Sequence, residues 1–240
     1  MMNLKKLALF LLIAIPLLAF VGQINEQKIS LTQTVRMLKD NKKASIVSNI
    51  YYHFESGILI THQKEPFEHF IITDSKGEIK IYNTEKNEVY VSRDPSKITD
   101  QTLLYYFFAK RLNDFGLRDM GFTLENTEFK DDLKVSWWKN DFPESPIKKV
   151  ELVHQKDLPI FMAYYDKNHF ISRKVYYSSY TKADEMPIQL PKTITDINYL
   201  SLKDSLINQT IFSDITYGNK ANSPIFNLKI PFNAKIIRNN

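Results

Sequence analysis

The sequence predicts an α+β fold, with helices lying on one face of a large curved antiparallel sheet. Three observations carry this. Segments with apolar residues at every second position, bounded by short turn signals, recur through both halves of the chain. Only two stretches, 30–43 and 101–113, have helical spacing instead. Aromatic residues make up 13% of the 240 residues, with 16 Phe and 13 Tyr but only 6 Gly. Such residues favour pleated surfaces, and so few glycines argue against glycine-lined nucleotide sites.

The first candidate helix is "SLTQTVRMLKDNKK". Leu31, Val35 and Leu38 are spaced by four and then three, which gives one narrow apolar stripe. Ser30 can cap its start, and the lysines suit its C-terminal end. In "ASIVSNIYYHF" after it, Ile46, Ser48, Ile50, Tyr52 and Phe54 share a parity, so a strand with one mainly apolar face is expected. "ILITHQ" returns, and "HFIIT", "EIKIY" and "EVYVS" continue as an antiparallel meander. Gly77 is well placed for a positive φ in the turn of "DSKG". Phe70, Ile72, Ile79 and Ile81 are expected to form one apolar wall.

In "TDQTLLYYFFAKRLNDF", Leu104, Phe107, Phe108 and Leu112 recur at helical spacing, with Tyr105 and Tyr106 widening the arc. So apolar a helix should lie across something apolar. The second half returns to strands, in "GFTLENTEF", "LKVSWWKN", "KKVELVHQ", "PIFMAYYD", "FISRKVYYSSYT" and "QTIFSDITYG". Trp137 and Trp138 should point to opposite faces. No repeat or linker divides the chain, so residues 23–240 are expected to form one domain.

Residues 1–22 read as a secretory signal. Lys5 and Lys6 precede an apolar run over 7–21, too short to span a bilayer comfortably. Cleavage is expected near Gly22; the alternative is an uncleaved N-terminal membrane anchor. Removing the segment takes away two lysines and lowers the formal charge from +5 to +3. That charge is too weak and dispersed for a nucleic-acid footprint. Export without a single Cys points to a bacterial envelope protein.

Little suggests catalysis or metal binding. His62 and His69 bracket the turn at Pro66, where Glu65 or Glu68 could join them, but exposed strand histidines are the simpler reading. Asp131–Asp132, Asp141 with Glu144, and Asp184–Glu185 look like solvated loop acids. No nucleophile motif appears. The chain is expected not to be an enzyme, and no cofactor or metal is expected. A hydrolase is kept only as a minor reading.

The stretch "ITDSKGEIKIYNTEKNEVYV" resembles the signature hairpin of periplasmic outer-membrane lipoprotein carriers of the LolA type. Asp74, Gly77, Ile81-Tyr82-Asn83 and Val89 carry the likeness. Pro66 and, one place late, Phe70 resemble the family's Pro-x-x-Phe segment. Phe226 and Pro231 in "FNLKIPFNAKII" resemble its closing Phe and Pro. The resemblance implies an incomplete antiparallel β-barrel closed by helices over its open, apolar side. It also implies a hydrophobic cavity that takes lipoprotein acyl chains or other lipid across the periplasm. The expected partners are such acyl chains, an inner-membrane exporter and an outer-membrane acceptor, with the protein acting as a monomer. The alternative is an envelope lipid or lipoprotein sensor of the same fold without a transport role. One position departs from the family: Glu65 stands where the carriers place the arginine that latches the lid. The residues expected to line the cavity are Ile50, Tyr52, Phe54, Ile60, Phe70, Ile72, Ile81, Leu104, Phe107 and Phe108.

Overall fold

In the computed structural model, described for residues 27–92, 100–183, 185–201 and 203–238, nearly everything belongs to one sheet. The candidate signal at 1–22 lies outside the described residues. The N-terminal meander comprises β1 (Lys28–Lys39), β2 (Lys42–His53), β3 (Ile58–Gln63), β4 (His69–Thr73), β5 (Ile79–Asn83) and β6 (Glu88–Ser92). One helix follows, α1 (Asp100–Phe108). The second meander comprises β7 (Thr123–Lys130), β8 (Leu133–Lys139), β9 (Ile147–Gln155), β10 (Leu158–Asp166), β11 (Ile171–Thr181), β12 (Leu190–Ser201) and β13 (Asp204–Tyr217). Two short 3-10 turns lead to β14 (Lys235–Arg238). The strand order is β14-β6-β5-β4-β3-β2-β1-β13-β12-β11-β10-β9-β8-β7, so β1 and β13 join the two meanders. All pairs are antiparallel except β14 on β6, which is parallel.

This corrects the expected fold class. The architecture is not α+β with helices covering a barrel. It is one open, mixed 14-stranded sheet, with a single α-helix among the described residues and free edges at β7 and β14.

The largest local difference is at 30–43, where a strand replaces the expected helix. β1 pairs along its whole length with β2, from Lys28 opposite His53 to Lys39 opposite Lys42. Its buried residues are Ile29, Leu31 and Gln33, a period of two. Asp40 and Asn41, with φ of 48° and 60°, form the tight turn between the strands. Two residues with positive φ match the right-handed twist of a hairpin. The helical spacing of Leu31, Val35 and Leu38 misled because Gln33 occupies a buried position where an apolar residue would have shown the alternation.

The second candidate helix forms but stops at Phe108. Lys110 takes a φ of 57°, and residues 112–121 fold into turns. Gly116, at φ +76°, lies under the Tyr106 ring; a Cβ there would meet that ring at 2.0 Å. Only glycine fits both the dihedral and the approach.

The sheet wraps around this segment. Phe108 stacks on Tyr52 of β2, with centroids 4.7 Å apart, and Phe107 meets Tyr177 of β11 at 5.7 Å. β2 and β11 are four strand spacings apart, about 19 Å in a flat sheet, so neighbouring rings on one helix reach both only because the sheet curves inward. The concave face holds the main core, including Ile29, Leu104, Phe115, Leu152, Met162 and Phe212. A second, smaller core lies on the outer face. There Ile60, Phe70, Tyr82 and Val89 are covered by Ile225, Leu228, Ile230 and Ala234 of the C-terminal segment. No helix of the described residues is long and apolar enough to cross a membrane.

Candidate ligand-binding face

Strand register decides which side chains share a surface. Facing partners in antiparallel strands lie on the same side. One row on the inner face therefore runs Leu31, Ile50, Thr61, Ile71, Ile81 and Tyr90, from β1 to β6. The next row runs Ile29, Tyr52, Leu59, Thr73, Ile79 and Ser92. Burial fades along the first row. Ile50 and Thr61 are sealed, Ile71 is half-buried, and Ile81 and Tyr90 are each 38% exposed. The apolar inner face thus emerges from the core onto the surface at β5 and β6.

The residues expected to line a cavity divide accordingly. Ile50, Tyr52, Leu104, Phe107 and Phe108 belong to the inner core, with Phe54 packed against it. Ile60 and Phe70 belong to the outer core, with Ile72 packed against that. Ile81 lies at the exposed end of the inner row. The expected wall of Phe70, Ile72, Ile79 and Ile81 is not one surface. Phe70 faces Tyr82 and Ile72 faces Lys80 on the outer side, whereas Ile79 and Ile81 point inward. The turn at 74–78 sets that register, and parity read within each strand separately does not carry across it. Thr61, Ile71 and Tyr90 complete the inner row. Only the pairing register reveals them.

The inner face is electrically quiet. Burial, aided by nearby Tyr105, pushes the Tyr52 hydroxyl up to about 12. Burial also raises the hydroxyls of Tyr177, Tyr180, Tyr105 and Tyr106, so these rings stay neutral at ordinary pH. One ion pair is built in: Arg173 donates from Nε and Nη2 to the two carboxylate oxygens of Asp196 at 2.9 and 2.8 Å. Trp138 is buried on this face, with its indole N–H donated to the Ser136 hydroxyl at 3.2 Å. Trp137 points the other way and packs under the Lys149 ammonium at 4.6 Å.

His154 fastens the segment after α1 to the sheet. Its Nε2 donates to the Leu112 carbonyl at 2.7 Å, and its buried Nδ1 has no partner. Burial holds its pKa below the ordinary 6.5, and nearby Lys134 acts the same way, against the Leu112 hydrogen bond and Asp157. The folded state therefore takes up this proton less readily than the unfolded chain. The stability is present above about pH 6.5 and is lost as pH falls from there toward the lower folded value. His154→Gln is expected to flatten the fall of the thermal midpoint between about pH 7 and about pH 5. An equal slope in both proteins would refute it.

The other histidines make no such site. His62 stacks on Phe70 and meets Glu68 at 2.8 Å, and His69 turns to the Phe67 carbonyl. Among the described residues no group of three His, Asp or Glu could hold a metal.

No protein-family model matches the sequence, and no curated protein matches it significantly. Solved structures do. A LolA superfamily protein from Nitrosomonas europaea superposes with a TM-score of 0.54 at 12% identity, over 85% of this chain and 90% of the other. A domain described as an outer membrane lipoprotein-sorting protein, from Vibrio parahaemolyticus, gives 0.59 at 13% identity, over 85% and 91%. A DUF1329 family protein from Desulfovibrio piger gives 0.57 at 13% identity, over 85% and 90%. The chain therefore has the LolA-like fold.

Proposed function

We propose that this protein is a non-enzymatic, periplasmic binder of acyl chains. It would carry lipoproteins, or lipid of similar chemistry, toward the outer membrane. The observation that supports this most is the inner row, apolar throughout apart from Thr61, which runs from the sealed core at Ile50 to the exposed Ile81 and Tyr90. An acyl chain gains about 0.8 kcal/mol for each CH₂ removed from water. A strip already continuous with the core offers such a chain a landing surface. The basic start and apolar run within 1–22 support export, and the lipoprotein-sorting description of the Vibrio domain supports the ligand class.

The binding test is displacement of a dansyl-labelled C11 fatty acid. Ile81→Asp is expected to weaken its binding about tenfold, through the cost of a charge beside the chain. The thermal midpoint should hold, because Ile81 is already part-exposed. Equal affinity in both proteins would remove the strip from the site.

The sensor reading of the same fold rests on Glu65. It lines a hollow beside β2, and Arg111, three residues past α1, is paired with Asp119 at 2.5 Å. Depleting the protein in its host separates the two. Mislocalised lipoproteins support the carrier, and correct sorting supports the sensor.

A further inference from the structure

The β1–β2 hairpin projects beyond β3. β2 begins at Lys42, but its pairing with β3 begins only at Ser48 opposite Gln63. Residues 42–47 are paired with β1 on one side. On the other side no backbone hydrogen bond reaches them among the described residues. Every second residue of a strand directs its N–H and C=O to a given side, so this half-edge offers unpaired donors and acceptors. Continuing the register of β3 would set Val47 against Lys64 and Ser45 against Pro66. Proline has no N–H to give, and the chain turns away there.

Beside the half-edge lies an open hollow of about 660 Å³. Met37, Ile46, Val47 and Pro66 give it apolar walls, with His62 and Lys64 at its side. Val47 is 54% exposed. The free edge at β7 differs: it carries Glu125, Glu128 and Lys130 and is bulged between Leu124 and Asn126. Charges and bulges are the usual defence of an edge against pairing.

We propose that the half-edge at 42–47 captures an extended peptide segment of another protein as an added strand. Among the described residues no segment of this chain pairs with it. The charge around the hollow selects the partner. Lys39, Lys42, Lys43 and Lys64 outnumber Asp40, Glu65 and Glu68, and none of these lysines has an ion pair among the described residues. The fitting segment alternates apolar and acidic residues. Backbone pairing supplies affinity, and the walls and lysines supply selectivity. The site is separate from the acyl-binding row, so failure of either leaves the other standing.

The test titrates the exported chain with a fluorescein-labelled hexapeptide alternating Val and Asp, against a Val/Lys counterpart, by anisotropy. The acidic peptide is expected to bind saturably and the basic one not to bind. Backbone amides within 42–47 should gain protection from hydrogen exchange. Val47→Asp should weaken binding about tenfold by placing like charge against the peptide, with an unchanged thermal midpoint. If that variant unfolds, Lys64→Glu makes the same reversal outside the strand and should weaken binding alike. Absence of binding, equal binding of both peptides, unchanged affinity in the folded variants, or protection at β7 instead would each overturn the proposal.

Discussion

Phe108→Ala is expected to lower the unfolding free energy by about 3–5 kcal/mol. The ring is 1% exposed, stacks on Tyr52 with an interplanar angle of 14°, and meets Phe54 edge-on at 6.5 Å. Removing it leaves a void at the point where α1 presses on β2, and the neighbouring rings are too rigid to fill it. Chemical denaturation reads the loss directly. A change below about 1 kcal/mol would mean that the helix does not seal the inner face. Phe108 was expected from the sequence to line a cavity. Its packing makes any substitution there a test of the fold, so ligand capture is better probed at Ile81.

Arg173→Leu is expected to cost a comparable 3–5 kcal/mol or so, for an electrostatic reason. Asp196 is 3% exposed, and both of its carboxylate oxygens accept from Arg173. The guanidinium also lies 5.5 Å from the Tyr164 ring centroid. Losing the cation leaves a carboxylate buried without its counter-charge. Restoring neutrality should restore stability. The double variant Arg173→Leu/Asp196→Leu is expected to recover most of the loss, since paired buried charges exchange well for apolar residues. The thermodynamic cycle checks this, and additive losses would refute it.

Most strands of the two meanders were legible because alternation is a short-range signal. Ile50 and Tyr52 in β2, and the opposed Trp137 and Trp138, fall where parity places them. The expected helix at 30–43 failed for want of one residue: Gln33 sits buried among apolar neighbours. The turn Asp40-Asn41, which tolerates positive φ, was the better guide to that region. The candidate site was only half legible. Composition identified apolar residues, but pairing register separated Ile79 and Ile81 on the inner face from Phe70 and Ile72 on the outer. The Arg173–Asp196 pair joins neighbouring strands that are 23 residues apart in sequence, and nothing local announces it.

The junction of β1 with β13 also sets the order in which the molecule can be built. Ser30 and Thr216 share a hydrogen bond although 186 residues separate them. A chain delivered N-terminus first can zip β1 to β6 early and β7 to β13 later, each through local hairpins. The seam between these halves must wait until almost the whole polypeptide is present. β14, which completes the other edge, comes last of all. Such non-local pairing is formed more slowly than the local hairpins. Through that delay the inner edge of β1 stays open, on a strand whose alternate residues Ile29 and Leu31 are apolar. A holding chaperone that covers β1 until β13 arrives is therefore expected to raise the folded yield more than one that acts on the finished sheet.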